Sequence, residues 1–561
     1  MQDSKHVAQQ SPGAWWRDAV TYQIYIRSFA DSNGDGKGDI EGIRSRLPYL
    51  KKLGVDAIWI TPWYVSPQKD HGYDTADYMN IDPTYGTNTD AERLIQEAHS
   101  MGIRTIVDIV PNHSSDQHKW FQEALNSEPG SAARDRYIFR DGKGENGELP
   151  PNDWESVFGG CGWQRVIEKN GQPGQWYLHL FAVEQPDFNW ENEEVREHFD
   201  QVLRFWLDKG VAGFRIDVAH GMIKAPGLPD VKKHSEGLLD ASARPYWNQP
   251  GVHEIYRRWR KIFDSYPGDR MGVAEAWVPV ESLPLYLRPD ELQNSFNFIF
   301  LDSLWKKKSF FKNIQGSLDA LATTGAPSSW VFENHDVTRK VHRFDLMLGK
   351  KRSTTPGPRF GKHPERFNES RGVRRARAGS LLCLALPGGA YLYQGEELTL
   401  PQVIDIPHDR LEDPVWHMSG YTDVGRDGCR VPLPWTQMAD GAHGFSTRKT
   451  MTREEAWMPE PTWWGKYAVD IQESNLESSL WLHRNALRLR KELPGLGDGE
   501  MEWVKAPRRV LAFKRAGGFQ CWINFGREVK LPKGAKVLLS SSPLNGRKLP
   551  KDTGVWFTLE G

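Results

Sequence analysis

Hydrophobic residues along the chain alternate between two patterns. Short runs rich in β-branched and aromatic residues are followed by longer stretches in which apolar residues recur every three to four positions. The first pattern is typical of buried parallel strands, and the second of amphipathic helices that cross between them. The strand-like runs cover residues 20–29, 55–63, 103–110, 211–220, 270–277, 295–300, 330–336 and 390–394. Eight runs with intervening helices predict an α/β fold, a closed (β/α)8 TIM barrel.

The alternation stops at three places, and these predict the domain organisation. Residues 113–182, after the third strand, are rich in Gly, Pro, Asn and Trp, so we expect a small inserted domain there. Residues 400–461, after the eighth strand, form a second irregular insertion. Short strand-like runs near the end predict a C-terminal antiparallel β domain over residues 495–561. The catalytic barrel would then comprise residues 15–112 and 183–494.

Polar residues cluster where the predicted strands end. Barrels of this type carry their active sites at the carboxyl ends of the strands. A single carboxylate or histidine there is more often a structural cap, but several at four strand ends together indicate an active site. They are Asp108, Asn112 and His113 after the third strand, Arg215 and Asp217 in the fourth, Glu275 in the fifth, and His335 and Asp336 in the seventh.

Two of these carboxylates suit glycoside cleavage, which needs one ionised and one protonated carboxyl group. Asp217 lies two residues from Arg215, so both side chains point to the same side of a strand. A guanidinium group that close lowers a carboxyl pKa by roughly 1–3 units, which would keep Asp217 ionised as a nucleophile. A structural ion pair is the alternative interpretation. Glu275 is flanked by small apolar residues. They would partly desolvate its carboxyl group, which favours the protonated form that a general acid needs.

Four segments resemble known signature regions: DIVPNHS at 108–114, GFRIDVAH at 213–220, EAW at 275–277 and FENHD at 332–336. In this order they resemble the four signature regions of glycoside hydrolase family 13. QPDFNW, YQGEE and RDGCRVPLPW add a likeness to its α-glucosidase and oligo-1,6-glucosidase branch. The resemblance implies a nucleophile, an acid/base, a transition-state stabiliser and three residues that bind the first sugar. These are, in that order, Asp217, Glu275, Asp336, and then Arg215, His113 and His335.

The same resemblance extends to the substrate. HGYDTADY and the preceding Asp70 are similar to the segment that closes the pocket around a non-reducing end. Asp70, Tyr73 and Arg430 therefore imply an exo-acting enzyme that releases one glucose at a time. Glu333 and Val337 depart from the commoner NNHDQ at strand seven, which affects the leaving-group side of the pocket.

Linkage preference depends on the residues after the nucleophile. Val218 would face the leaving sugar, and valine accompanies α-1,6 cleavage in the resembled branch. The unlike segment 221–250 that borders the same position outweighs one methyl group, which shifts discrimination by only about 1–3 kcal/mol. We therefore expect a retaining α-glucosidase that prefers short maltose-type α-1,4-glucosides and also transfers glucose. An oligo-1,6-glucosidase and a family isomerase or transglucosidase, such as a sucrose isomerase or a trehalose synthase, are the alternatives.

A possible cation site follows the first strand. Residues 31–39 (DSNGDGKGD) carry side-chain oxygens at alternating positions, the spacing of a calcium loop. Gly42 occupies the twelfth position, so the loop is not an EF-hand, and a turn held by Asx hydrogen bonds is the alternative. The resemblance favours one structural Ca²⁺, although the spacing does not distinguish it from Mg²⁺. The expected ligands are Asp31, Asn33, Asp35 and Asp39, with the carbonyl group of Lys37.

The amino-acid composition limits the classes of binding partner and the cellular location that we expect. Lys and Arg total 72 against 73 Asp and Glu, a net charge of −1, which does not favour binding to nucleic acid or an anionic membrane. Small α-glucosides are the expected partners, and nothing in the pattern indicates an oligomeric state. Four cysteines without a C-x-x-C pair predict free thiols in a reducing compartment. With no run of 18 apolar residues, the sequence predicts a cytoplasmic protein without a membrane span.

Overall fold

The computed structural model describes residues 13–231, 244–347 and 366–559. Parallel strands form a closed barrel in this part of the chain, which confirms the predicted fold class. The strands are β1 Val20–Ile24, β2 Ala57–Ile60, β3 Arg104–Ile109, β4 Gly213–Ile216, β5 Met271–Ala274, β6 Asn294–Ser295, β7 Ser329–Val331 and β8 Gly389–Tyr393. They are hydrogen-bonded in the order β6-β5-β4-β3-β2-β1-β8-β7. A parallel bridge between Phe296 and Ser329 joins the two ends of this order and completes the ring.

The strands are shorter than the hydrophobic runs that predicted them. β1 ends at Ile24, and the 3-10 helix Ile26–Ser28 follows it. β6 has two residues, and the rest of its run forms the helix Phe298–Leu301, which the side chain of Asn297 caps. A short apolar run is buried in either conformation, so hydrophobicity alone does not separate a strand from one helical turn.

Amphipathic helices cover the outside of the barrel. They include Ile40–Ser45, Leu47–Leu53, Asn88–Ser100, Glu193–Asp208, Val252–Asp264, Lys307–Leu321, Lys340–Leu346, Glu369–Ala385 and Ser479–Glu492. The first two of these helices meet at Arg46. Thr87 and Asp90 form a capping box at the start of the helix Asn88–Ser100.

The two insertions lie over the mouth of the barrel. Segment 113–182 contains a three-stranded antiparallel sheet of Phe139–Arg140, Trp163–Ile167 and Pro173–Leu178. Phe158 and Phe181 share a buried cluster with Val218 of the barrel, so this segment forms one wall of the mouth. Segment 400–461 contacts the loop after β1, where the Asp31 amide donates to the Phe445 carbonyl group.

A separate antiparallel sheet follows the barrel and confirms the predicted C-terminal β domain. Its strands are β9 Glu502–Trp503, β10 Val510–Lys514, β11 Phe519–Asn524, β12 Lys536–Ser540 and β13 Thr553–Thr558, in the order β9-β10-β11-β13-β12. Asp552 links this sheet to the barrel, because Trp305 Nε1 donates to its carboxylate at 2.7 Å. Arg375 lies 3.2 Å from the other carboxylate oxygen.

Candidate active site

A pocket opens at the carboxyl ends of the barrel strands, as the sequence predicts. Its wall consists of Asp70, Tyr73, His113, Val157, Phe158, Phe181, Asp217, Val218, His220, Glu275, Trp277, His335, Asp336, Val337 and Arg426. Eight of these were predicted from the sequence, namely Asp70, Tyr73, His113, Asp217, Val218, Glu275, His335 and Asp336. Arg215 lies in direct contact with them, whereas Arg430 is absent from the wall.

Arg215 organises the carboxyl groups at the base of the pocket. In the barrel register Asp108 of β3 pairs with Arg215 of β4, which places their side chains together. The Arg215 guanidinium donates to Asp108 at 2.9 Å, to Asp217 at 2.7 Å and to Glu275 at 2.6 Å. All four residues are buried. One positive charge therefore faces three acidic side chains from three neighbouring strands.

This imbalance changes the expected protonation of Asp217. Burial raises the pKa of the Asp217 carboxyl well above its usual range, and Glu275 and Asp108 add to the rise while Arg215 opposes it. The prediction that Arg215 keeps this pKa low is therefore wrong. Burial likewise raises the pKa of Asp108 to about 7. Glu275 acts on the pKa of Asp217 both through its charge and through a side-chain hydrogen bond.

Asp336 has the opposite character. Burial disfavours its ionisation, but the His335 ring and the guanidinium groups of Arg426 and Arg430 outweigh burial and hold its pKa below the usual range. Both arginines donate to Asp336 Oδ1 at 3.1 Å, and His335 Nε2 lies 3.2 Å from Oδ2. Asp336 therefore supplies a permanent negative charge to the pocket.

The arginine that closes the pocket beside Asp70 is Arg426 and not the predicted Arg430. Arg426 donates to Asp70 at 2.8 Å and to Asp413 at 2.7 Å. Arg430 lies deeper, with its side chain donating to the carbonyl group of His335 and to Asp336. Both arginines belong to the RDGCRVPLPW segment, so the motif was informative but did not show which arginine reaches the pocket.

Neighbouring aromatic and amide groups hold the predicted sugar-binding residues in place. Tyr73 stacks on His335 with ring centroids 5.1 Å apart and donates to Asp108 at 3.1 Å. Gln185, which was not predicted as a site residue, lies 3.1 Å from His113 Nε2 and donates to Asp70 at 3.3 Å. Its place in QPDFNW is the signal that could have identified it.

Several residues of the pocket wall were not predicted. Phe158 and Phe181 come from the inserted segment, whose irregular sequence gives no periodic signal for their position. His220 is fully buried and lies against Trp247, with ring centroids 4.7 Å apart. Val218, which was predicted, has a φ of 44°, a strained value for a β-branched residue, and its amide donates to Glu275 at 3.2 Å.

Comparison with protein-family models shows which family the chain belongs to. Residues 23–499 match the model described as the catalytic domain of α-amylase. The chain belongs to glycoside hydrolase family 13. This membership confirms the resemblance drawn from the four signature regions, and the protein is a glycoside hydrolase.

Several relatives in this family cover most of the chain. A probable α-glucosidase of Rhizobium meliloti is 35% identical over 92% of this chain and 90% of its own length. An oligo-1,6-glucosidase of Parageobacillus thermoglucosidasius is also 35% identical, over 85% of this chain and 84% of its own. The crystal structure of the α-glucosyl transfer enzyme XgtA matches with a TM-score of 0.81 at 33% identity, covering 98% of this chain and all of its own. The trehalulose synthase MutB of Pseudomonas mesoacidophila has a TM-score of 0.82 at 30% identity, with the same coverage.

The loop after β1 in this family 13 chain is held by Asx-type hydrogen bonds. The buried Asp31 carboxylate accepts the amides of Gly34 at 2.7 Å and Gly36 at 2.9 Å. Asp35 accepts from the Lys37 amide at 2.8 Å, and Asp39 caps the helix Ile40–Ser45. No group of three or more His, Cys, Asp or Glu residues in the described ranges is arranged to hold a metal ion. The loop supplies hard oxygen donors, but in this conformation Asp39 is turned toward the helix.

Two further observations concern membrane-spanning helices and the cysteine residues. Among the described helices, none combines the length and the apolar character that crossing a bilayer requires. The four cysteines, all within the described ranges, are free thiols, and Cys161 alone is exposed.

Proposed function

We propose that the protein is an exo-acting, retaining α-glucosidase that releases glucose from the non-reducing end of short α-glucosides. The observation that carries this proposal is the ion pair of Asp70 with Arg426 in the wall of the pocket that also holds the Asp217 and Glu275 carboxyl groups, and we infer that this pair closes one end of the pocket. A pocket with one closed end accommodates a chain terminus rather than a chain that continues in both directions. The names of the relatives, α-glucosidase and oligo-1,6-glucosidase, support the same substrate class.

The residues support a double displacement. Asp217 attacks the anomeric carbon as the bond to the leaving oxygen breaks, and Glu275 donates its proton to that oxygen. This mechanism requires Glu275 to be protonated and Asp217 to be ionised when the substrate binds. Glu275 then takes a proton from water, whose oxygen attacks the anomeric carbon and releases Asp217. The ionised Asp336 stabilises the positive charge that develops on the sugar ring.

Transfer of glucose uses the same intermediate. A sugar hydroxyl group in place of water would give a transglucosylation product, with Glu275 again taking the proton. The likeness to a glucosyl transfer enzyme and a trehalulose synthase supports this second outcome and keeps a family isomerase as the alternative function. Maltose-type α-1,4-linkages are the proposed preference, with α-1,6-linkages as the main alternative.

Product analysis tests the substrate class. Purified enzyme is incubated separately with maltose, isomaltose, sucrose and trehalose, and the products are separated by chromatography. We expect glucose from maltose at the highest rate, and longer oligosaccharides at high maltose concentration. Quantitative conversion of sucrose or maltose into an isomeric disaccharide would contradict hydrolysis as the main activity.

Variants test the two catalytic roles. Asp217→Asn and Glu275→Gln should each reduce turnover of maltose by more than about 10³-fold while melting temperature changes little. Azide should restore part of the rate of Glu275→Ala on an activated aryl α-glucoside, because a good leaving group needs no proton. Near-normal maltose turnover by Glu275→Gln would overturn the assignment.

We further propose a structural Ca²⁺ on the loop of residues 31–39 and a cytoplasmic location. The oxygen donors Asp31, Asn33, Asp35 and the Lys37 carbonyl group support the cation, and binding would require Asp39 to leave its helix cap or to share it. Free thiols at Cys383, Cys429 and Cys521 support the reducing location. Fractionation of the native cells, with detection of the protein by antibody, tests the location.

A further inference from the structure

Trp277 lies in the pocket wall and contacts the Glu275 carboxyl oxygen that does not accept from Arg215. It follows Glu275 by two residues, beyond the end of β5, and its side chain is half-buried in the pocket wall. The indole Nε1–H donates to Glu275 Oε1 at 3.0 Å. The other oxygen, Oε2, accepts from Arg215 at 2.6 Å and from the Val218 amide at 3.2 Å.

The two oxygens of Glu275 therefore differ in their surroundings. Oε2 faces a cation and a backbone amide, both of which favour an unprotonated oxygen. The hydrogen bond that Oε1 accepts from Trp277 comes from a neutral donor, so Oε1 is the oxygen better placed to carry the proton. An indole N–H has no acceptor lone pair in the ring plane, and it cannot take that proton.

The indole ring is held in one orientation. It lies parallel to the ring of Phe298, with an interplanar angle of 1° and centroids 3.7 Å apart. Phe298 is buried and starts the short helix after β6. A buried ring on the neighbouring strand connection thus sets the direction of the Trp277 N–H bond, independently of Glu275.

We propose that Trp277 is a positioning residue for Glu275. It aims Oε1 at the leaving oxygen and stabilises the carboxylate that remains after the proton has been transferred. This inference rests on the proposed function, in which Glu275 is the acid/base.

Trp277→Phe tests the proposal, because phenylalanine keeps a ring that can stack on Phe298 but removes the N–H group. We expect kcat/KM for maltose to fall about tenfold or more, the effect of removing a hydrogen bond to a charged group. On 2,4-dinitrophenyl α-glucoside, whose leaving group needs no proton, the fall should be less than about threefold.

The pH profile gives a readout that a merely structural role would not change. A donor favours the charged form of the group that accepts from it, so removing the N–H should move the basic limb of the kcat/KM profile upward by about one pH unit. Glu275 also faces Arg215 and Asp217 from β4 and Asp108 from β3, and all three are unchanged in the variant.

Trp457→Phe is the matched control. Its indole donates to Ser28 Oγ at 3.0 Å instead of to Glu275, so the basic limb of this variant and its ratio of maltose to aryl glucoside activity should match the wild type. Equal losses on both substrates by Trp277→Phe, with an unmoved basic limb, would overturn the proposal. Glu275→Gln is measured alongside, because its retention of activity would reject the proposed function itself.

Discussion

Arg426 and Arg430 show how two residues of one motif take different positions. Arg426 touches three acidic side chains, Asp70, Asp336 and Asp413, whereas Arg430 reaches only one of them. The planar guanidinium fork allows one residue to hold several carboxylates in fixed positions. The closed end of the pocket therefore depends on Arg426.

We predict that Arg426→Lys raises KM for maltose about tenfold or more, because an ammonium group cannot bridge Asp70, Asp336 and Asp413 together. The variant should also gain activity on 4-nitrophenyl maltoside whose non-reducing end is blocked by an ethylidene group, a substrate that the wild type should reject. Steady-state kinetics on both substrates provide the measurement. An unchanged KM with continued rejection of the blocked substrate would contradict the role of Arg426.

Substitution of Val218 tests the preference between α-1,4- and α-1,6-linkages. Its strained φ of 44° and its place in the pocket wall put it beside Glu275. We predict that the ratio of kcat/KM for maltose to that for isomaltose exceeds one in the wild type and stays above one in Val218→Thr. The reason is that one methyl group contributes only about 1–3 kcal/mol to discrimination. A wild-type ratio well below one that rises steeply in the variant would show that Val218 sets the linkage.

The loop between β1 and the helix Ile40–Ser45 is the element whose role is most open to test. Its carboxylates already satisfy backbone amides, so the loop has a folded conformation of its own. A bound cation would add stability that grows with its free concentration.

We predict that EDTA lowers the melting temperature by several degrees while the rate on maltose at moderate temperature is nearly unchanged, since the loop contributes no residue to the pocket wall. Added Ca²⁺ should restore the melting temperature, with about 2.7 kcal/mol of stabilisation at 100 times Kd. Asp35→Asn keeps the turn but removes a charge. Its melting temperature should therefore change less with EDTA and with added Ca²⁺. If EDTA leaves the melting curve unmoved and elemental analysis finds no metal, the loop is an Asx turn only.

At the scale of the whole molecule, the C-terminal sheet is joined to the barrel by buried polar contacts. Asp552 pairs with Arg375 and accepts from Trp305, and the Trp556 indole donates to the Leu381 carbonyl group at 3.0 Å. Groups of this kind stabilise the interface only while every partner is present.

We predict that Asp552→Ala lowers the free energy of unfolding by about 3 kcal/mol, because it leaves Arg375 and the Trp305 N–H group buried without their partner. The kcat/KM for maltose should be unchanged at 25 °C, since the interface lies away from the pocket wall. Urea denaturation gives the measurement. Glu502→Ala is the control, because its exposed pair with Lys514 should contribute less than about 1 kcal/mol, and equal losses in both variants would contradict the prediction.

The barrel, the C-terminal sheet and the strand ends that carry the polar residues could all be predicted from the amino-acid sequence. These properties follow from local periodicity. Parallel strands place their carboxyl ends at the same end of the barrel, independently of the conformation of the loops. Asp217, Glu275, Asp336 and His113 could therefore be placed at one pocket from their spacing alone.

The packed chain was needed to show which arginine contacts Asp70, in which direction the pKa of Asp217 moves and where Trp277 points. Asp70 and Arg426 are separated by 356 positions, and no local pattern links residues so far apart in sequence. The pKa of Asp217 depends on burial and on the balance of charges from three strands, whereas the sequence showed only its neighbour Arg215. Burial, summed charge and long-range contact arise when the chain is packed, and for that reason they could not be predicted from spacing.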